Sequence, residues 1–250
     1  MTGDVSMTDT GIADRLAAVQ RAMEAACRDA GRSTDAVTLV AVSKTQPPHR
    51  IVEAARAGIR HFGENRVEEA LEKIPAVAHL TDVQLVWHMV GTVQSRKARQ
   101  IPGQFAVLHS LDSLRLAERL SRILIDEGHR LDVLLQVNVS GEATKQGWEA
   151  AGWGDSATVR QALWGDVTTI AALPALHVRG LMTMAPVVTD PEETRPVFVA
   201  LRALRDALAA DFSQVAWSAL SMGMSDDYVV AIQEGATLIR IGRALFGERG

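Results

Sequence analysis

One lysine stands where a buried strand would lead into a loop. Lys44 closes the apolar run LVAVSK, residues 39–44, and Thr45-Gln46-Pro47-Pro48 follow at once. The 26 basic residues include four lysines: Lys44, Lys73, Lys97 and Lys145. A desolvated lysine can lose its proton whereas an arginine cannot, so this position indicates amine chemistry. An unprotonated amine forms a Schiff base with a carbonyl compound or with pyridoxal phosphate (PLP). The alternative is that Lys44 only ends a strand and extends its amine to water.

Two glycine-containing segments near the C-terminus have the composition of a phosphate site. SMGMS, residues 221–225, precedes a predicted helix, and RIGR, residues 240–243, closes the last apolar run. Ser221 supplies a hydroxyl, and a helix N-terminus presents N–H groups to an anion. Similar turns are common without any ligand. In combination with Lys44, the two segments favour PLP over the other Schiff-base chemistry considered, an aldolase acting on a sugar phosphate.

The last apolar run also contains an arginine. Strand alternation places Leu238, Arg240 and Gly242 on one face. If that face is the interior, Arg240 needs a partner, and the pyridine nitrogen of PLP is one candidate. Because arginine only donates hydrogen bonds, it would keep that nitrogen unprotonated and make the ring a poor electron sink. A buried Asp or Glu is the alternative partner.

The pattern of apolar runs predicts the elements that would position these residues. Ile12, Leu16, Val19, Met23 and Ala26 have the spacing of an amphipathic N-terminal helix. Eight apolar runs predict strands at 39–44, 59–64, 85–91, 106–112, 132–139, 178–185, 215–223 and 238–244. Eight strands alternating with helices in 250 residues indicate a single (β/α)8 barrel of the TIM type. A doubly wound open sheet is the alternative, weakened because no Gly-rich dinucleotide turn follows the first strand.

Helix signals follow Pro47-Pro48, Asp190-Pro191 and Ser225, where proline or an acidic N-cap begins a helix. The segment 148–165 is the least regular, and we expect a long loop there before the fifth crossover helix. Residues 1–9 read as a flexible tail, and residues 10–250 as one barrel domain.

Composition excludes several classes of function. The net charge is −4 without a long basic run, which argues against nucleic-acid binding. No apolar stretch reaches the roughly 20 residues that span a membrane, and the seven histidines lack metal-ligand spacing. The single cysteine, Cys27, reads as a packed free thiol. We therefore expect a cytoplasmic protein without a metal.

The motifs LVAVSK, HFGEN, WHMVGTVQSRK, GLMTMAP, LSMGMSDD and RIGRALFG together resemble the YggS/PROSC family, the pyridoxal phosphate homeostasis proteins. The resemblance runs from about residue 39 to 247 and implies a barrel like the N-terminal domain of alanine racemases. It implies PLP held as an internal aldimine on Lys44, with Asn65 near the cofactor and Arg240 at the ring nitrogen. It also implies phosphate contacts from Ser221 and the Gly242-Arg243 turn.

The function implied is intracellular PLP homeostasis or carriage without robust catalysis, with PLP-dependent apo-enzymes as recipients and the protein a monomer. A PLP-dependent amino-acid racemase is the main alternative, and the aldolase is the other. Racemases of this fold use a tyrosine from an additional domain as a second base. The only tyrosine here is Tyr228, which does not lie at a predicted strand end. Lys145 is a second amine expected near the mouth of the barrel.

Overall fold

The computed structural model describes residues 11–247, and in it parallel strands close into a barrel. The strands are β1 (Thr38–Val42), β2 (His61–Glu64), β3 (Val86–Met89), β4 (Val107–Leu111), β5 (Leu131–Asn138), β6 (Trp148–Glu149), β7 (Leu176–Met182), β8 (Ala219–Ser221) and β9 (Leu238–Ile241). The ring runs β1-β2-β3-β4-β5-β7-β8-β9, and β9 pairs with β1. The two-residue β6 pairs with the end of β5. The predicted (β/α)8 barrel is confirmed.

Helices cover the outside of the ring. They are α1 (Ile12–Asp29), α2 (Pro48–Arg56), α3 (Val67–Ala78), α4 (Leu114–Asp126), α5 (Ala157–Ala171), α6 (Arg195–Asp211), α7 (Tyr228–Gln233) and α8 (Arg243–Phe246). Short 3₁₀ helices span Thr34–Ala36, Ser95–Gln100 and Pro191–Thr194, and the second of them is the crossover between β3 and β4. Because helices cover the outer face, β5 is buried almost continuously from Val133 onward.

The N-terminal helix is present as predicted. Ile12, Leu16, Val19, Met23 and Ala26 are all buried along one face of α1. That face packs on α7 and α8, beside the strands that carry the two glycine segments. The predicted tail at residues 1–9 lies outside the described residues, and the division into a tail and one barrel domain stays a prediction.

Several predicted elements are shorter in the structure. β1 ends at Val42, so Ser43 and Lys44 already belong to the following loop. The predicted strand 215–223 is a strand only at Ala219–Ser221, because Trp217 and Ser218 donate backbone hydrogen bonds to Val215 and Ala216 in tight turns. The expected long loop ends at residue 156, and α5 occupies the rest of the segment 148–165.

Between β7 and β8 the two backbones approach too closely for a side chain. Gly180 of β7 has φ +155°, and a Cβ atom there would lie 1.8 Å from the carbonyl oxygen of Ala219. The register of β7 with β5 also shifts beside it, between Val133 and Leu134. A glycine is therefore required for β8 to pair with β7, and β8 carries Ser221.

We predict that Gly180→Ala lowers the free energy of unfolding by at least about 2 kcal/mol, because steric overlap and backbone strain each cost about 1–3 kcal/mol. Gly154→Ala is the matched control, since a Cβ atom there meets no heavy atom within 4 Å. Urea denaturation of both variants measures the difference. Equal midpoints for Gly180→Ala and Gly154→Ala would contradict the close approach.

Candidate functional site

Lys44 lies at the C-terminal mouth of the barrel, half-buried, two residues beyond β1. The pairing of β1 with β9 matches Val40 to Arg240 and Ala41 to Ile241, so the next residues along both strands are also neighbours. As a result Lys44 and the Gly242-Arg243 turn line one cavity of about 330 Å³. The structure thus brings together three of the residues predicted from separate parts of the sequence.

A buried ammonium group holds the chain just before Lys44. Lys73 of α3 is 6% exposed, and its Nζ donates to the carbonyl oxygen of Ser43 at 2.8 Å. The same Nζ donates to Glu64 Oε1 at 2.9 Å. The Ser43 hydroxyl donates to the same Glu64 oxygen at 2.6 Å. Two groups of Ser43 are therefore bound to one charged pair beneath the mouth.

The third donor of Lys73 holds the chain just after Lys44. Lys73 Nζ donates to Glu69 Oε1 at 2.6 Å, and that oxygen also accepts the backbone N–H of Thr45 at 2.5 Å. Thr45 has φ +63°, a left-handed conformation that is strained for a β-branched residue. The interactions of Glu69 and Lys73 maintain this conformation, which sets the direction in which Lys44 leaves the strand. We call Lys73, Glu64 and Glu69 the lysine clamp.

The two carboxylates of the clamp have opposite pKa shifts. Burial raises the pKa of Glu64 above its usual range, although hydrogen bonds from Ser43 and Lys73 oppose the shift. Burial acts in the same direction on Glu69, but the hydrogen bonds from Lys73 and the Thr45 N–H hold its pKa below the usual range. Glu69 therefore contributes stability that is present above its unfolded pKa and is lost as pH falls through its folded value. On acidification Glu64 takes up its proton first.

Ser221 and Arg240 meet inside the barrel rather than in the cavity beside Lys44. Arg240 is 5% exposed, so the condition that its face of the strand is the interior one is met. It donates through Nη1 to Ser221 Oγ at 2.6 Å and through Nη2 to the Thr183 carbonyl at 2.9 Å. Desolvation lowers the pKa of Arg240 to about 10, against the charge of Asp227, so the guanidinium stays protonated at neutral pH. A hydroxyl and a carbonyl accept the hydrogen bonds of Arg240. Among the described residues Arg240 therefore does not form the direct ion pair with a buried acid that was the alternative.

Ser225, which was not among the predicted site residues, faces the Gly242-Arg243 turn. Ser225 Oγ accepts the backbone N–H of Ala244 at 3.3 Å and so joins the loop after β8 to the first turn of α8. The side chain of Arg243 turns outward to Asp226, leaving its backbone at the cavity. Gly223, with φ +91°, makes the loop compact, because a Cβ atom there would lie 2.6 Å from Ala231 Cβ. The motif SMGMS contains two serines, and local spacing did not distinguish them.

Asn65 follows β2 at the same mouth. Its Oδ1 is buried and has no hydrogen-bond partner among residues 11–247. Gly91, after β3, approaches so closely that a Cβ atom would lie 2.2 Å from the Asn65 carbonyl oxygen. The backbone of Asn65 is thereby fixed, while its side-chain oxygen remains available to a hydrogen-bond donor.

Lys145 also lies at the rim. Its Nζ donates to the carbonyl oxygen of Ala185 at 3.0 Å, joining the loop after β5 to the loop after β7. Below it, Asn138 Nδ2 donates to the Glu142 carbonyl at 3.0 Å and helps to order the same loop. The expectation of a second amine near the mouth agrees with this position, and its role stays a prediction.

Two absences apply to the described part of the chain. Between residues 11 and 247 no group of three or more His, Cys, Asp and Glu side chains could hold a metal ion. Over the same range no helix combines the length and apolarity needed to cross a membrane.

The fold and the site define a class of protein. A parallel α/β barrel with a lysine just beyond the first strand and a glycine turn after the last matches the family described as "Alanine racemase, N-terminal domain", whose model covers residues 16–250. Alanine racemase from Corynebacterium glutamicum shares the fold at 18% identity with a TM-score of 0.66, and the match covers 94% of this chain but 62% of the racemase.

Nearer relatives define the family more narrowly. The pyridoxal phosphate homeostasis protein of Aquifex aeolicus is 41% identical over 236 residues, which is 94% of this chain and 97% of the relative. PipY of Synechococcus elongatus PCC7942, solved with PLP bound, is 37% identical with a TM-score of 0.79, over 94% of this chain and 100% of PipY. This chain belongs to the family of pyridoxal phosphate homeostasis proteins, and the resemblance seen in its motifs is confirmed.

We predict that Lys73→Met lowers the free energy of unfolding by about 3–5 kcal/mol, because it leaves the buried Glu64 carboxylate without its cation. Lys97→Met is the control, since Lys97 pairs with the exposed Glu68 at the surface, and its loss should be much smaller. Adding Glu64→Gln to Lys73→Met should restore part of the stability. Urea denaturation measures all three, and equal losses in the two lysine variants would refute the importance of the clamp.

Proposed function

We propose that this protein binds PLP covalently through Lys44 and takes part in PLP homeostasis or carriage without robust catalysis. The observation that carries the proposal is the shared cavity of Lys44 and the Gly242-Arg243 turn. An amine and a backbone anion site in one cavity suit a ligand with an aldehyde at one side and a phosphate at another. Relatives named for PLP homeostasis, and PipY with PLP bound, support the same reading.

The residues at the mouth and just inside the barrel fit this cofactor. Asn65 Oδ1 is a buried acceptor without a partner among the described residues, so it can accept a hydrogen bond from a bound group. Arg240 has five N–H donors, and two bonds from its guanidinium go to Ser221 and Thr183. When bound, PLP supplies an aldehyde electrophile and a pyridine ring that can accept electrons. The chain supplies the amine, an anion site and a donor-only cation.

For the phosphate end, the geometry favours Ser225 over Ser221. Ser221 is fully buried, and its hydroxyl lies between His109 Nδ1 at 2.8 Å and Arg240 at 2.6 Å. Ser225 is half-buried and already contacts the first turn of α8. We therefore propose that Ser225, Gly242 and the backbone of Arg243 hold the phosphate. In this proposal Ser221 holds Arg240 in place, and the phosphate contact predicted for Ser221 remains to be tested beside it.

Arg240 limits the chemistry available at the site. Its guanidinium stays protonated at neutral pH even though burial lowers its pKa to about 10. A donor-only cation at the ring nitrogen keeps that nitrogen unprotonated, so the ring withdraws electrons weakly. This favours holding PLP over the carbanion chemistry of a transaminase or a racemase.

A two-base amino-acid racemase is less well supported. The single tyrosine, Tyr228, is half-buried at the start of α7, where its Cα lies 3.0 Å from the position a Cβ atom on Gly223 would take. It therefore packs against the loop after β8. Burial raises its pKa above the ordinary value, which makes it a weaker acid than an exposed tyrosine. No observation at the mouth favours the aldolase.

We further propose that other proteins receive PLP from this one. PLP-dependent apo-enzymes are the expected recipients, and the loop after β7 offers them apolar contacts beside the mouth, with Met184 39% and Val187 95% exposed. We also propose that the protein acts in the cytoplasm and as a monomer.

We predict that Lys44→Ala abolishes covalent attachment of PLP and leaves the fold intact. Intact mass after borohydride reduction measures the adduct, and circular dichroism checks the fold. Lys145→Ala is the matched control, since it removes the other amine at the rim and should keep the adduct on Lys44. A stoichiometric adduct that persists in Lys44→Ala and disappears in the double variant would move the attachment to Lys145.

We predict that Ser225→Ala weakens PLP binding by about 1.5–3 kcal/mol, the loss expected for a hydrogen bond to a charged group. The measurement is retention of PLP during dialysis, with pyridoxal as a second ligand that lacks the phosphate. Ser225→Ala should leave pyridoxal binding almost unchanged, whereas Ser221→Ala should weaken both ligands alike. The reverse pattern would place the phosphate at Ser221.

A further inference from the structure

Three histidines cross the inside of the barrel in a single hydrogen-bonded row. His61 Nδ1 lies 3.0 Å from His88 Nε2, and His88 Nδ1 lies 2.9 Å from His109 Nε2. His109 Nδ1 then lies 2.8 Å from Ser221 Oγ, which accepts a bond from Arg240. The three histidines, Ser221 and Arg240 come from five different strands. The hydrogen bonds lead from the first residue of β2 to the last residue of β8. We call His61, His88 and His109 the histidine row.

The row connects the two ends of the barrel. Two of its histidines are buried, since His88 is 2% exposed and His109 is 0% exposed. His61 is half-buried and borders a cavity of about 460 Å³ at the N-terminal ends of β1 and β2. Glu24, Asp35 and Arg60 are the charged residues that line this cavity with it.

The row is uncharged. Burial, followed by the neighbouring His61, lowers the pKa of His88 to about 3. Burial, then His88 and Arg240, holds the pKa of His109 well below its usual value. A neutral imidazole has one donor and one acceptor nitrogen, so every bond in the row must run in the same direction.

Arg240 decides which direction that is. It can only donate, so Ser221 Oγ is the acceptor in their contact. If His109 also donated to Ser221, the buried Ser221 proton would have no acceptor among the described residues, at a cost of about 1–3 kcal/mol. The Ser221 hydroxyl therefore donates to His109 Nδ1. His109 and His88 must then donate through Nε2, and the row ends with the Nε2–H of His61.

We infer that the histidine row is a positioning relay, which fixes the direction of the Ser221 hydroxyl and through it the orientation of the Arg240 guanidinium inside the barrel. His61, His88 and His109 touch no ligand in this scheme and act only through Ser221. The direction of the relay follows from the protein alone, whereas its effect on PLP rests on the proposed function.

The direction can be measured without any cofactor. Histidine-labelled ¹⁵N protein, in its full-length unliganded form, should show the Nε2–H tautomer at all three positions near neutral pH. Single substitutions assign the signals, and His49, His79, His129 and His177 are internal references. An Nδ1–H tautomer or a cationic ring at His88 or His109 would overturn the inference.

The effect of the row on PLP binding is tested by replacing its middle histidine, His88. His88→Leu should weaken PLP binding about two- to tenfold, the scale of one lost hydrogen bond, and shift the absorbance band of the bound cofactor. His177→Leu, which changes a histidine outside the row that lies 3.4 Å from Asp132, should change neither. Normal affinity and an unshifted band in His88→Leu would refute the link to Arg240 while leaving the proposed function standing.

The two proposals fail in different ways. If the unsubstituted protein does not bind PLP covalently, the proposed function fails, and the tautomers still decide the direction of the relay. If His88→Leu does not fold, the tautomers of the unsubstituted protein remain a complete test of that direction.

Discussion

The site depends on one buried cation. Lys73 uses all three of its ammonium donors on Ser43, Glu64 and Glu69, and two of these acceptors control the residues on either side of Lys44. A buried charge is costly unless it is paired and hydrogen-bonded, so a change in one member of the clamp disturbs the others. The clamp therefore ties β1, β2 and α3 to a single geometry at the mouth. The strain at Thr45 persists because the surrounding contacts are strong enough to hold it.

Two buried polar systems lie within the otherwise apolar packing of the barrel. Many TIM-type barrels fill their interior with layers of branched apolar side chains. Here the clamp lies between α3 and the ends of β1 and β2, whereas the histidine row crosses the inside of the barrel from β2 to β4 and contacts Ser221 of β8. Buried polar groups are costly when they lack partners, as Glu64 Oε2 does among residues 11–247, and they specify an arrangement where they are satisfied. The clamp fixes the residues on either side of Lys44, and the row contacts Ser221, which binds Arg240, so both systems orient residues proposed to hold the cofactor.

The sequence predicted the parts of the site whose evidence is local. Lys44 after LVAVSK and the glycine of RIGR could be found because strand ends and turns leave a pattern within a few residues. Lys73 could not, since in LEKIPAVA it looks like a surface lysine of an amphipathic helix, and only packing of α3 against β1 and β2 buries it. The two serines of SMGMS differ only in where the chain turns after β8. The histidine row leaves no local pattern either, because the partners of His88 are 27 and 21 residues away along the chain.

The distribution of side-chain amines has a consequence for selectivity between reaction sites. Of the lysines other than Lys44, Lys73 is enclosed in the clamp, Lys97 pairs with Glu68 and Lys145 donates to a carbonyl at the rim. The other 22 basic residues are arginines, which remain protonated and do not condense with aldehydes. A surface built this way carries positive charge without offering many competing nucleophiles. A reactive aldehyde therefore meets few side chains that could trap it outside the barrel mouth.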